Sequence, residues 1–571
     1  MADDQQFDIG LVMAGAVSAG AYSAGVVDFL IEALDEWDKA RAAPGYSGPA
    51  HRVRIAAMSG ASAGAMTAAI AAIALNSEFE PVADVNQPPA GERNRLFDGW
   101  VRMADITRML TRHDLEGGRK LVSALDSSAL AEIASSALDV RPLAGARRHV
   151  ADPLPLFLTV ANLRGVPYGI RVEGENRDYR HGMSAHADHM AFAVTRQGRG
   201  LPGALTLELA NLAEGARQAK AGGGSSPWLV LRDSALASGA FPIGLAPRLL
   251  TRPIDDYAIR RWPVPVPEPA QPDRTLVEMR AIKPTWPANF APQVDFWNVD
   301  GGLMNNEPLE LARMALAGAE GRNPRPGDKA TRAVLMIDPF PNETGVVAGP
   351  AGDIDLIGVI TGMFNALKNQ TRFKLDELAL AESEDVYSRF VIAPSRRHAD
   401  GTLARLAMAS AIMGGFGGFL SEAFRRHDFQ LGRRNCQRFL QEYLALPETN
   451  PLFGGTDPTR FRPVIALFGS ALRPVPAPIF PAAAALDAGA RKTLRKLVSE
   501  RFSAVGDGVV NMFMGKVLGW ALKSVLRLAR AGLVEKIMTK IETELSRLDH
   551  DGEPARSPAT GGGAHPEPGR G

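Results

Sequence analysis

The sequence predicts an α/β layer protein with a mostly parallel central sheet. Three observations predict it. Short apolar runs alternate with segments of helical spacing, two of these runs open through small-residue turns straight into apolar helices, and the C-terminal part turns wholly helical in pattern.

The first unit reads strand, loop, helix. Residues 7–13 (FDIGLVM) form a short apolar run suited to a buried parallel strand. Residues 14–20 (AGAVSAG) are a small-residue loop, and residues 22–34 have the apolar spacing of a helix. The second unit repeats the order, with a strand at 53–58, a tight turn at 59–64 and a helix at 65–75 that Asn76 stops. Further strands are expected at 156–161, 228–231, 296–299 and 333–337, with a late one at 465–467. Residues 173–226 are polar and interrupted, and read as an insertion or flap. The proline-rich 252–292 stretch reads as irregular loop. Helical patterns cover 404–446 and 491–548, and the Pro- and Gly-rich end from 549 reads as a disordered tail. The expected organisation is a core over 1–345, a mainly helical extension over 346–480, a helical region over 481–549 and a tail over 550–571, with no internal repeat.

Composition narrows the function classes. Lys and Arg number 64 against 63 Asp and Glu, so nothing points to nucleic acid as a partner. Cys436 is the sole cysteine, which rules out an internal disulfide and a cysteine-based zinc site and fits a reducing compartment; a buried, inert thiol is its default reading. Two uncharged stretches, 9–27 and 55–75, are long enough to imitate membrane spans. Both are rich in Gly, Ala and Ser, and the first follows Asp3, Asp4 and Asp8 where a signal peptide needs basic residues. The expectation is therefore no signal peptide and no transmembrane helix, with the protein in the cytoplasm or at a membrane surface.

Gly60-Ala61-Ser62-Ala63-Gly64 is a G-x-S-x-G motif between an apolar strand and an apolar helix. A serine on such a sharp turn projects its hydroxyl beyond the strand ends, and Gly60 and Gly64 relieve the crowding around it. The following helix directs its positive end at the site, where an oxyanion would form. Ser62 is the candidate nucleophile. Its candidate base is Asp300, which follows the strand-like FWNV and precedes Gly301 and Gly302. An aspartate held away from water beside a serine can act as general base. A Ser-Asp-His triad stays open as an alternative. It would need His398 or His427, both in charged surroundings that read as exposed.

Together these residues resemble the patatin-like phospholipase family. The glycine-rich loop is Gly15-Ala16-Val17-Ser18-Ala19-Gly20, the elbow is Gly60 to Gly64, and Asp300-Gly301-Gly302 is followed by Asn305-Asn306-Glu307-Pro308. A weaker match is Ala237-Ser238-Gly239-Ala240-Phe241-Pro242. The resemblance covers about residues 7–340, less clearly to 445, and looks closer to a divergent bacterial branch. It implies a three-layer α/β/α patatin-like fold and a lipid acyl hydrolase acting on phospholipid or other acyl-lipid esters. It also implies a Ser62–Asp300 dyad working through an acyl-enzyme, and an oxyanion hole from the backbone of Gly15, Ala16, Val17, Ser18, Ala19 and Gly20. No cofactor and no metal are called for. The chain departs from the family's glycine-rich pattern at Ala16, Val17 and Ala19, and a β-branched residue at Val17 is awkward where φ must be positive. Those departures also keep open a catalytically silent, membrane-associated scaffold.

Two other features have plainer readings. His181, His186, Asp188 and His189 cluster as a metal site would, but without a helical i, i+4 pair or a fourth ligand; a polar loop or strand is the plainer reading. Lys516, Lys523, Arg527 and Arg530 fall near one face of a helix in 511–540. That helix either packs on the core with a solvated basic face or makes peripheral contact with an anionic membrane.

Overall fold

The apolar N-terminal run lies at the middle of the sheet. In the computed structural model, residues 5–171, 180–269, 271–318, 323–341, 366, 369–370, 389–398, 400–513 and 516–552 are described. Strand β1 (Gln6–Met13) is buried along nearly its whole length, because it pairs in parallel with strands on both sides. Its neighbours are β2 (Arg52–Gly60) and β10 (Arg332–Ile337). The nine-stranded sheet continues outward to β11 (Arg389–Ile392) on one side. On the other it reaches β3 (Leu154–Arg171), β4 (Arg180–Thr195) and β5 (Leu205–Glu208). β6 (Arg248–Pro253) pairs with β9 (Gln293–Asp300), which pairs with β3. Five pairings are parallel and three, β3–β4, β3–β9 and β6–β9, are antiparallel. The chain is thus mixed α/β around a mostly parallel sheet.

Helices α1 (Gly20–Ala42) and α2 (Ala63–Ala74) follow β1 and β2 directly. α2 and residues 20–34 of α1 are buried nearly all round, which explains their mostly small and apolar composition. The helix beginning at Val17 is long and apolar enough to cross a membrane, yet 94% of its apolar window is buried inside the fold, as in a core helix. α1 packs against a later helix, α6, over Glu422–Glu442. The approach is close because each presents a glycine: a Cβ on Gly25 would lie 2.0 Å from the Phe429 carbonyl oxygen, and one on Gly432 would lie 2.2 Å from that of Tyr22. Arg433 of α6 fixes the pair by binding Asp28 and Glu32 of α1.

Several expectations are corrected. Residues 228–231 belong not to a strand but to helix α4 (Pro227–Ser238), which Ser226 caps by accepting the Trp228 N–H and which Pro227 opens at its first turn. The presumed flap at 173–226 supplies β4 and β5 of the main sheet and α3 (Leu212–Lys220); residues 172–179 lie outside the described set. Its polar look has a local cause. Asp188 is buried in β4, where Arg252 and Arg260 reach it at 2.9 and 2.6 Å and the Tyr257 hydroxyl donates at 2.8 Å. Burial alone would raise the Asp188 pKa, but the two arginines hold it well below the carboxylate range.

The 252–292 stretch contains a hairpin of β7 (Arg261–Glu268) and β8 (Gln271–Ala281). Pro263, Pro265 and Pro267 alternate along β7, so their missing N–H groups all fall on one edge, the one not needed for pairing with β8. Helical structure in 404–446 starts only at Glu422; Met413, Gly414 and Gly415 have positive φ and break the earlier part into 3-10 turns. The late strand sits at β13 (Phe461–Pro463), paired with β12 (Ala445–Pro447), rather than at 465–467. The C-terminal region forms α7 (Ala488–Phe513) and α8 (Lys516–Gly552), so helix continues past 549; residues 553–571 are outside the described set. Most of the basic face expected in 511–540 has side chains outside it too. Arg530 donates to Ser503 Oγ at 2.7 Å, and Val534, Met538, Ile541, Leu545 and Leu548 of α8 are buried.

Candidate active site

Strand β3 explains how Ser62 and Asp300 meet. β4 pairs along one edge of β3 over most of its length. The other edge is shared: β2 occupies it up to Gly60, opposite Leu158, and β9 occupies it from the far side down to Asp300, opposite Val160. The two strands run head-on and stop two residues apart along β3, a gap of about 7 Å at the usual strand rise. Ser62 stands on the turn leaving one strand and Asp300 at the end of the other.

The side chains close that gap. The Ser62 hydroxyl donates to Asp300 Oδ2 at 2.8 Å, and both residues are buried. Asp300 Oδ1 accepts the Gly302 N–H at 2.7 Å, which fixes the plane of the carboxylate. The elbow is strained as the motif requires: Ser62 has φ 53° and ψ −128°, a conformation worth about 1–3 kcal/mol of strain in a non-glycine residue. The motif glycines mark close backbone approaches. A Cβ on Gly64 would lie 2.2 Å from the Met13 carbonyl oxygen, one on Gly60 2.6 Å from that of Gly64, and one on Gly301 2.2 Å from that of Thr159. At Gly302 a Cβ would meet Asn306 Oδ1 at 2.7 Å.

The loop after β1 lies against this pair. A Cβ on Gly15 would come 3.2 Å from Ser62 Cβ. Val17 does adopt positive φ, 48°, despite its branched side chain. The loop is braced by Ser18, whose hydroxyl donates to the Gly415 carbonyl and accepts the Gly418 N–H at 3.0 Å. Gly15 N–H is taken by the Asn306 carbonyl at 3.1 Å and Ala19 N–H by that of Ala16 at 2.8 Å. Gly20 begins α1. Among the described residues, no protein acceptor takes the N–H groups of Ala16, Val17 and Ser18, or those of Ala63 and Gly64 at the start of α2. These donors lie beside Ser62 in sequence or in the Gly15–Gly20 loop that approaches it.

One residue with no role assigned from sequence belongs here. Ser238, at the end of α4 and fully buried, accepts the Ser62 N–H on its hydroxyl at 2.8 Å. Two residues on, the Ala240 carbonyl accepts the Asp300 N–H at 2.9 Å. A single turn therefore anchors both backbones. The Ala-Ser-Gly-Ala-Phe-Pro run was the available signal, but its pattern carries no hint of the partner.

The histidines lie elsewhere. Among the described residues, none hydrogen-bonds Ser62. His427 is buried rather than exposed, with Nδ1 2.8 Å from Asp428, whose carboxylate also accepts the N–H groups of Ala409 and Ser410. His398 is half-buried and sits in a small β-bridge turn at 397–403. His186 Nδ1 contacts the Asn162 carbonyl, and Asp188 is engaged by its arginines. Cys436 is buried, and burial pushes its thiol pKa up.

No family model matches the chain. It is 36% identical, over an alignment of 592 positions, to the uncharacterized protein y4iI of Sinorhizobium fredii, with 95% of this chain and 82% of that protein covered. The chain belongs to the same family as that rhizobial protein.

Proposed function

We propose that this protein is a patatin-like serine hydrolase that cleaves acyl esters of lipids through a Ser62–Asp300 dyad. The observation that carries the proposal is the buried 2.8 Å hydrogen bond from Ser62 Oγ to Asp300 Oδ2, made on a strained elbow where, among the described residues, no histidine bonds the serine. Asp300 takes the hydroxyl proton as Ser62 Oγ attacks the ester carbonyl. The oxyanion settles on N–H groups drawn from Ala16, Val17, Ser18 and Ala63. Collapse expels the alcohol, which leaves with the proton from Asp300, and an acyl-serine remains. A water then gives its proton to Asp300 and attacks the acyl carbon; the departing Ser62 Oγ takes that proton back from Asp300 as the fatty acid is released. The three-layer patatin arrangement belongs to the same proposal, as does work in the cytoplasm or at a membrane surface without metal or cofactor. The motif order from Gly15 through Ser62 to Asp300 supports it.

The test is a fluorophosphonate probe with identification of the labelled residue, run beside hydrolysis of a panel of phospholipid and neutral-lipid esters. Wild type should label on Ser62 and hydrolyse at least one class, and Ser62→Ala should do neither. A wild-type protein inert to the probe and to every ester would refute the proposal.

A further inference from the structure

We infer that Arg501, on helix α7, is a positioning residue for the Ser62–Asp300 pair, so that the C-terminal helices are part of the site's framework. Its catalytic half rests on the hydrolase reading above; its structural half does not. Arg501 is 2% exposed and spends all its donors on one loop. Nε donates to the Ala124 carbonyl at 2.8 Å, Nη1 to that of Thr111 at 2.9 Å, and Nη2 to that of Ser123 at 3.0 Å, while Nη1 and Nη2 also grip the Asp114 carboxylate at 2.5 and 2.7 Å. Pairing with one carboxylate needs only two donors. Of the other three, one holds the Thr111 carbonyl and two hold Ser123 and Ala124, in a stretch, 119–127, that has no helix or strand of its own.

That stretch holds the turn behind the dyad. Ala124 N–H donates to the Ile243 carbonyl at 2.7 Å, Leu125 N–H to that of Gly244 at 2.9 Å, and Ala246 N–H to Ser127 Oγ at 2.9 Å. The same turn starts at Ser238 and Ala240, which anchor the Ser62 and Asp300 N–H groups. Ile243 is 77% exposed with φ 67°. So strained a conformation persists only where its surroundings impose it, and the bonds from Ala124 and Leu125 are what impose it here. A second tie reaches the segment that braces Ser18: Glu544 of α8 accepts the Met413 N–H at 3.4 Å, just before the Gly415 carbonyl that binds Ser18.

The test compares Arg501→Gln and Arg501→Lys with Arg495→Gln, a change on the same helix that loses only an exposed pair to Glu535 of α8. In Arg501→Gln, hydrogen exchange should quicken at Ala124, Leu125 and 243–246. Turnover of a soluble ester and the fluorophosphonate labelling rate should fall by about 10- to 100-fold with KM little moved, the scale expected of a small misplacement of reacting groups. Lysine keeps the charge beside Asp114 but not the span to three carbonyls, and should fall between. Arg495→Gln should match wild type. If Arg501→Gln does not fold, Arg501→Lys carries the same readouts. Unchanged exchange at 243–246 would overturn the inference, and so would faster exchange with unchanged turnover and labelling. A wild type silent toward the probe counts against the hydrolase reading instead, and the exchange data then decide the clamp alone.

Discussion

Replacing Asp300 with asparagine changes one atom and reverses one hydrogen bond. The carboxylate accepts the Gly302 N–H on Oδ1 and the Ser62 hydroxyl on Oδ2. An amide accepts on its oxygen only. Placing the NH2 against Gly302 N–H would set two buried donors face to face, so the oxygen stays there and the NH2 turns to Ser62. It then donates to Oγ, and the serine proton loses its acceptor. Removal of a general base lowers turnover by about 10²- to 10⁴-fold, equivalent to about 2.7–5.4 kcal/mol in the barrier at 1.36 kcal/mol per tenfold. The site keeps its shape, because amide and carboxylate are nearly isosteric. The expected result for Asp300→Asn is thus a melting temperature within a few degrees of wild type, kcat on a soluble acyl ester down by at least about a hundredfold, and slowed fluorophosphonate labelling of Ser62. Turnover within about threefold of wild type, less than half a decade, would show that Asp300 is not the base.

Three further outcomes are expected. Ser238→Ala removes the acceptor of a buried N–H, which costs about 1–3 kcal/mol, and should lower both the urea midpoint and the labelling rate of Ser62, with threonine restoring part of each. Gly64→Ala forces a methyl group to within 2.2 Å of the Met13 carbonyl oxygen, a backbone atom of β1; a loss of about 3 kcal/mol or more is expected by chemical denaturation, and a variant as stable and as reactive as wild type would contradict the packing described. Asp188→Asn strands Arg252 and Arg260 in the interior and should cost about 3–5 kcal/mol near neutral pH. The sign of its pH dependence follows from the depressed folded-state pKa. Its stabilisation is fully present above the unfolded carboxylate value of about 3.9 and is lost as pH falls below it, so the gap between wild type and Asp188→Asn in urea midpoint should narrow on acidification. A gap that widens would reverse the assignment.

The parts legible in the sequence were those written as local pattern. The strand–turn–helix units at β1 and β2 rest on contiguous apolar runs and tight small-residue turns, and they stand where the pattern places them. Patterns fail where residues outside the run itself decide its conformation. Residues 228–231 are apolar enough for a strand, but the Ser226-Pro227 cap commits them to a helix. The β4 segment looks too polar for a sheet interior until Arg252 and Arg260, more than 60 residues away, neutralise Asp188. Direction is likewise invisible, since the period-two pattern of β9 is identical whether it runs parallel or antiparallel to β3. Yet that direction is what brings Asp300 to Ser62. Ser238 was hidden for the same reason: its partner is a backbone N–H 176 residues earlier.

Strain in the backbone follows this geometry. Among the described residues, five non-glycine residues have positive φ: Val17, Ser62, Ile243, Asn289 and Met413. Four of them bear on the meeting point of β2 and β9. Ser62 is the elbow itself. Val17 sits in the loop whose Gly15 touches it, Ile243 lies in the turn that anchors both dyad backbones, and Met413 leads into the segment that braces Ser18. At about 1–3 kcal/mol each, these conformations are a large fraction of a typical net stability of about 5–15 kcal/mol. They are held by bonds from parts of the chain far apart in sequence, α4, the 119–127 stretch and the C-terminal helices. A head-on junction of two strands leaves a gap that neither strand can bridge by ladder bonds. The strained turns fill it, and their anchors set the distance between Ser62 and Asp300.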